Sequence, residues 1–275
     1  DGDEYALLPL LLWGTFEHRL KMLTPGYLGD LGQYMQNEFG AELAAGALPR
    51  SRYIPVEKSV SAGLRVSSYD ELRNLIEQAG DRLAVQECIC RKVNDLQGKP
   101  CQATERREVC LSFGDLADLY IKEEWGRRIT QEEAFEIARI SEEEGLVLMP
   151  GNSQEATFMC ACCDDCCAML TTYKYLPRPA DIVASNFFIE IDSDLCEGHA
   201  VCVDQCPTDA IMVEDDVASV ELARCIGCGL CVPTCPEVAI RLLKKSEETV
   251  PPATSDDLYD ALMAGKQARI QPAST

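Results

Sequence analysis

Cys196-Glu-Gly-His199-Ala-Val-Cys202-Val-Asp-Gln-Cys206-Pro207 and, after a short connection, Cys225-Ile-Gly-Cys228-Gly-Leu-Cys231-Val-Pro-Thr-Cys235-Pro236 are the two runs that decide the fold. In the second run three cysteines stand with two residues between each, a fourth follows after three more, and a proline closes it. That spacing feeds a four-iron, four-sulfide cubane. A cubane offers each iron one outward site, so three thiolates must converge from a tight loop while a fourth arrives from elsewhere. Small residues such as Gly227 and Gly229 let backbone N–H groups turn toward the sulfurs. The competing zinc ribbon would use paired Cys-x-x-Cys knuckles at a longer separation, without Cys-Pro closures.

The two runs are also an internal repeat. Cys196, His199, Cys202 and Cys206 align with Cys225, Cys228, Cys231 and Cys235, and Pro207 to Ile211 aligns with Pro236 to Ile240. Each half opens on a strand-like run, Phe187 to Ile191 or Ala218 to Leu222, and closes on another, Ile211 to Glu214 or Ile240 to Leu243. Residues 185–245 resemble a bacterial two-cluster ferredoxin domain over their whole length. The resemblance implies a ferredoxin-like domain of two pseudo-symmetric halves, in which the fourth cysteine of each run ligates the other run's cluster. Carried over, Cys225, Cys228, Cys231 and Cys206 hold one 4Fe-4S cluster, while Cys196, Cys202 and Cys235 hold a 4Fe-4S or 3Fe-4S cluster.

His199 breaks the pattern at the second ligand position of the first run. Three readings stand: an imidazole ligand, a three-iron cluster with that corner empty, or a solvent-facing histidine with water, hydroxide or Glu197 filling the corner. Replacing a thiolate by a neutral imidazole removes negative charge and raises the potential. The cluster at Cys225 is therefore expected to have the lower potential.

A formal charge of −21 argues against nucleic acid or an anionic membrane surface as partner, because both would repel the chain. It suits docking to a basic patch on a redox partner. Sixteen cysteines with Cys-Pro closures and adjacent pairs point to metal in a reducing compartment, hence the cytoplasm, rather than to secreted disulfides. No apolar run reaches membrane-spanning length. The chain begins at Asp1, so no targeting signal is read from this end.

In chain order, residues 1–60 are expected to form a helical N-terminal segment, compatible with the end of a longer domain. Residues 7–13 and 15–23 read as helical, and Thr24-Pro25 caps a helix running to about Phe39. Trp13, Phe16, Tyr27, Tyr34 and Phe39 read as core or interface, and His18 as surface. Arg52 to Val56 is a short extended piece at an edge. Residues 61–184 are expected to be a cysteine-rich α+β metal-binding domain. Its elements are a helix entered through a Ser68-x-x-Glu71 capping box and stopped at Gly80, a strand from Leu83 to Glu87, helices over 112–125 and 130–144, and a strand from Leu146 to Met149. Ser246 to Ser255 reads as an extended linker, and the tail after it as a short amphipathic helix of disordered character.

Nine cysteines lie in this middle domain: Cys88, Cys90, Cys101, Cys110, Cys160, Cys162, Cys163, Cys166 and Cys167. Cys160, Cys163 and Cys166 repeat the triplet spacing of a cubane, with a fourth ligand from Cys162, Cys167, Cys88, Cys90, Cys101 or Cys110. That predicts a third iron–sulfur cluster. Its competitor is structural zinc closed by Cys88, Cys90, Cys101 and Cys110. Arg91, Lys92, Arg106, Arg107, Arg127 and Arg128 flank the first cysteine group, where positive charge would stabilise thiolates.

From Glu87-Cys-Ile-Cys-Arg through Cys162-Cys163 to the repeat, the chain resembles iron–sulfur proteins of anaerobic bacteria in which such a module precedes a two-cluster ferredoxin domain. The function this implies is electron transfer to a partner oxidoreductase. Two other classes stay open: an enzyme with a substrate-binding cluster in 88–167, and a zinc-stabilised interaction scaffold. No nucleotide-cradling glycine fingerprint, catalytic triad or flavin motif is present.

Overall fold

The computed structural model describes residues 24–34, 37–38 and 48–270, and the chain is a mixture of helix and strand. The expected helical segments 7–13 and 15–23, with His18, Trp13, Phe16 and Phe39, lie outside the described residues. The helix Pro25–Tyr34 starts as its cap predicts, with the Tyr27 N–H donating to Thr24 Oγ1 at 3.2 Å.

The middle of the chain is organised on a five-stranded antiparallel sheet. Its strands are β1 Leu83–Glu87, β2 Glu108–Phe113, β3 Arg127–Arg128, β4 Val147–Pro150 and β5 Phe158–Cys162, in the order β3-β1-β2-β5-β4. One face is closed by the helices Leu72–Ala79 and Gln131–Glu143, which insert Leu75, Ile76, Ala134 and Ile137 against Leu83, Val85, Leu111, Leu148 and Met159. Each fully buried aliphatic side chain of this kind contributes about 1.5–3 kcal/mol. Thr130 caps the second helix through the Glu133 N–H at 3.2 Å.

Regular structure also carries the upstream cysteines. β2 and β5 carry Cys110, Cys160 and Cys162 as strand residues, and the helices Ile89–Leu96 and Ala168–Tyr175 start directly after Cys88 and Cys167. The Ser68 capping box does not form. Ser68–Asp70 is a 3₁₀ turn and the helix begins at Leu72, because Asp70 is drawn inward to Arg52 Nε and Asn186 Nδ2, each at 2.8 Å.

The extended piece at Arg52 to Val56 runs along the edge strand β4, its Arg52 and Ile54 N–H groups donating to the carbonyls of Pro150 and Leu148 at 3.0 and 3.3 Å. Its other side is covered too. Tyr53 N–H donates to Ala184 O at 2.8 Å and Val56 N–H to Cys228 O at 3.0 Å, so the segment is a seam between the sheet and the cysteine loops.

Those loops are framed by two ribbons. β6 Phe187–Ile191 pairs antiparallel with β9 Ile240–Lys244, and β7 Ile211–Glu214 pairs antiparallel with β8 Val217–Val220. The tail folds back instead of trailing away. Gln154 and Glu155 donate backbone N–H groups to the carbonyls of Pro252 and Ala253 at 2.8 and 3.0 Å, and the helix Ser255–Ile270 buries Leu258. Pro251 and Pro252 favour an extended backbone with free carbonyl acceptors, which this loop uses. Among the described residues no helix is long and apolar enough to cross a membrane.

Candidate metal centres

The C-terminal cysteines fall into two sets. Cys206, Cys225, Cys228 and Cys231 line one cavity enclosing about 310 Å³ of empty space, part of it open to solvent, with Ile189, Ala210, Ile211 and Ile226 as its apolar wall. Cys202 neighbours Cys196 and Cys235. In each set one thiol comes from the other run, because the chain crosses between the ribbons at Pro207 and again at Pro236.

Burial pushes the Cys202, Cys225, Cys228 and Cys231 thiols above their ordinary range. Backbone amides work against this, Gly227 and Ile189 N–H groups at Cys225, Leu230 N–H at Cys228 and Val203 N–H at Cys202. The other three sulfurs meet amides too: Ala210 N–H donates to Cys206 Sγ at 3.2 Å, Ala218 N–H to Cys196 Sγ at 3.3 Å and Ala239 N–H to Cys235 Sγ at 3.4 Å. Buried sulfurs that meet oriented amide donors, with Lys245 the charged neighbour of Cys225, suit a bound metal cluster, whose arrival would release the thiol protons. Gly227 makes the turn possible at φ 69°. A Cβ there would lie 2.2 Å from Phe187 O, so no other residue fits.

His199 is 43% exposed, 3.8 Å from Glu197, and forms with Glu197 and Glu237 an exposed group whose ligand atoms lie within 4.8 Å of one another. Glu237 was missed by the sequence reading. It follows Cys235-Pro236 in the second run, and only folding brings it beside the first.

The nine upstream cysteines are grouped differently from the sequence expectation. Six form a closed chain of neighbouring thiols: Cys88 with Cys110, Cys110 with Cys160, Cys160 with Cys162, Cys162 with Cys167, Cys167 with Cys90, and Cys90 with Cys88. The other three, Cys101, Cys163 and Cys166, gather with Asp165. The Cys160, Cys163 and Cys166 triplet is therefore not brought together. Cys160 and Cys162 are alternate residues of β5 and share a face, whereas Cys163 follows the strand and turns away. Nor do Cys88, Cys90, Cys101 and Cys110 close one site, since Cys101 joins the second group.

Within the six, Cys88 and Cys167 are held well below the ordinary thiol range, Cys88 by hydrogen bonds from Cys110 and Cys90, Cys167 by those from Cys162 and Cys90. Both sit at helix N-caps, where the dipole favours a thiolate. Cys90, Cys110 and Cys162 are raised, Cys90 by its hydrogen bonds to Cys167 and Cys88, Cys110 by those to Cys160 and Cys88, and Cys162 by those to Cys160 and Cys167.

Of the basic residues singled out, Arg91 is the one that reaches the sulfurs. It is fully buried, with Nε 3.4 Å from Cys101 Sγ and Nη2 3.3 Å from Cys163 Sγ and 3.2 Å from Ala161 O. Its Nη1 is buried without a hydrogen-bond partner. Lys92, Arg106, Arg107 and Arg127 face outward to Glu87, Glu144, Asp95 and Glu108, and Arg128 stands exposed near Asp118.

The two regions share one apolar cluster. Cys162 and Cys167 pack with Tyr53, Tyr173, Ile226, Cys228 and Leu230, and the Tyr53 and Tyr173 rings meet edge-on at 5.9 Å.

Such a concentration of converging thiols, with amide donors aimed at the sulfurs, defines an iron–sulfur cluster-binding domain at the C-terminal end. A family model described as the LdpA Fe-S cluster-binding domain matches residues 189–246. No curated protein matches the chain.

Proposed function

We propose that the chain is an electron-transfer iron–sulfur protein that passes electrons between clusters to a partner oxidoreductase. The observation that carries this is the exchange of fourth cysteines: Cys206 stands with Cys225, Cys228 and Cys231, and Cys235 with Cys196 and Cys202. The first set would hold a 4Fe-4S cluster, and the second a 4Fe-4S or 3Fe-4S cluster whose remaining corner is left to His199, Glu197 or solvent. Clusters of this kind supply one-electron transfer.

The backbone supports a ferredoxin-like pair of halves offset by 29 residues. Left-handed conformations recur at Gly198 and Gly227, at Ala200 and Gly229, and at Asp209 and Val238. The N–H···S bonds recur as well, from Ala210 to Cys206 and from Ala239 to Cys235, and from Ile189 to Cys225 and Ala218 to Cys196. Each ribbon takes one strand from each half.

The six upstream thiols would hold a third cluster, and the buried apolar cluster that Tyr53 and Tyr173 form with Cys162, Cys167 and Cys228 would connect it to the Cys225 centre. An acidic exterior would dock on a basic face of a protein partner, in the reducing cytoplasm of an anaerobe.

Iron and acid-labile sulfide determination with EPR on anaerobically purified protein tests this reading. About 11–12 irons per chain, nearly matched by sulfide, is the expected result, with an isotropic signal in the oxidised sample if the Cys196 set carries three irons. Iron below about four per chain after anaerobic reconstitution would overturn it.

A further inference from the structure

We propose that Cys101, Cys163, Cys166 and Asp165 form a mononuclear tetrahedral site for a divalent cation, zinc by preference, separate from every iron–sulfur cluster of the chain.

Spacing is the first argument. Four ligands around one metal with Zn–S bonds of about 2.3 Å stand about 3.8 Å apart along each edge of the tetrahedron. Cys101 and Cys163 Sγ are 3.6 Å apart, and the ligand atoms of all four residues lie within 4.8 Å of one another. In a cubane each thiolate binds a different iron, so the sulfurs must spread across the whole cluster. Among the described residues, neither C-terminal cysteine set nor the ring of six contains three ligand atoms gathered so closely. In the ring the thiols meet in neighbouring pairs, whereas here all four ligand atoms converge on one point.

Charge is the second argument. Arg91 is fully buried, and its hydrogen bonds run to two of these sulfurs and one carbonyl. A buried guanidinium needs compensating anions; the lowered Cys88 thiol beside it supplies one, and further neutral thiols would add none. Three thiolates and a carboxylate around a divalent cation leave two net negative charges facing Arg91. A metal bound here would therefore add to the anionic surroundings that Cys88 already gives Arg91.

Positioning is the third. Gln102 N–H donates to Asp165 Oδ2 at 2.6 Å while Oδ1 faces Cys101, which fixes the carboxylate toward the sulfurs as an outer hydrogen bond fixes a metal ligand. The ligands come from the loop after the helix Ile89–Leu96 and from the turn after β5. Zinc there would clamp the two chain segments that deliver the six-thiol ring, so its role is structural. Cys101, Cys163 and Cys166 must lose their protons on binding, and zinc retention is expected to fall as the pH is lowered.

The test uses the full chain, purified anaerobically from zinc-supplemented medium, with zinc, iron and sulfide measured per chain. One zinc in the wild type, lost at least tenfold in Cys166→Ala with iron and sulfide unchanged, is the expected result. Co²⁺ loaded in place of zinc keeps the idea testable if that variant does not fold. The wild type should then show intense sulfur-to-cobalt charge transfer and tetrahedral visible bands, and Asp165→Asn should shift the visible bands while keeping the charge transfer. A wild type without zinc, with no such cobalt spectrum, would overturn the site. So would loss of about four irons in Cys166→Ala, which would place Cys166 on a cluster. Failure of the electron-transfer reading would appear separately, as missing iron in the wild type whatever its zinc.

Discussion

Val56 donates its backbone N–H to the carbonyl oxygen of Cys228 at 3.0 Å, joining the segment that edges the five-stranded sheet to the second cysteine of the second run. Gly229 stands next to that bond, and a Cβ on it would lie 2.3 Å from Ser59 Oγ. The cysteine-rich domain and the cluster-binding loops are therefore built against each other backbone to backbone. A change on one side is transmitted to the other.

Gly227→Ala should abolish the Cys206, Cys225, Cys228 and Cys231 centre while sparing the rest. Its methyl would overlap Phe187 O, and the positive φ adds about 1 kcal/mol of strain to the clash. Iron per chain should drop by about four, a cubane's complement. Full iron loading in the variant would show that the loop can move aside.

Asp70→Ala should destabilise the fold by about 3–5 kcal/mol, because it strands a buried arginine. Asp70 Oδ1 accepts from Arg52 Nε, its Oδ2 accepts from Asn186, and Arg52 Nη1 donates to Asn152 Oδ1 at 3.2 Å. These contacts tie the seam, the 3₁₀ turn and the entry to β6 together. Urea unfolding followed by near-UV circular dichroism measures the loss, and a change below about 1 kcal/mol would mean that Arg52 finds water.

Glu142 gives a pH dependence with a defined sign. Burial pushes its carboxyl above the usual range, although the Glu57 N–H donates to it at 2.9 Å. A raised folded value means that this group's contribution is fully present below the ordinary glutamate pKa of about 4.3 and is lost as the pH rises through the folded value. Glu142→Gln keeps an acceptor for Glu57 and has no charge to bury. The stability difference, variant minus wild type, should therefore grow with pH in urea titrations starting at about pH 5. A difference independent of pH would count against burial as the cause.

His199→Cys should lower the potential of the Cys196, Cys202 and Cys235 centre by an amount on the order of 100 mV and leave the Cys225 centre unmoved. A fourth thiolate adds negative charge and completes the run's spacing. EPR-monitored potentiometry separates the two centres, and equal potentials before and after the change would place the new cysteine away from the metal.

Much of this was legible in order along the chain. β1, β6 and β7 fall on the strand-like runs read at Leu83 to Glu87, Phe187 to Ile191 and Ile211 to Glu214, and Thr24 and Thr130 cap their helices because capping is decided within four residues. Ser68 failed as a cap because Asp70 answers to Arg52 and Asn186, partners far away in sequence.

What the sequence determined by itself is the pair of cysteine runs, their repeat and the strands that frame them, since a converging loop of ligands is a local pattern. The tertiary structure alone decided how the nine upstream cysteines divide. The six that neighbour one another come from β2, β5, two helix N-caps and the first turn of the helix Ile89–Leu96, and strand alternation sends Cys162 and Cys163 to different groups. It alone also chose Arg91, out of six basic candidates, as the buried charge. A buried guanidinium is stable only where several anionic groups meet it, and those groups meet only in the folded chain.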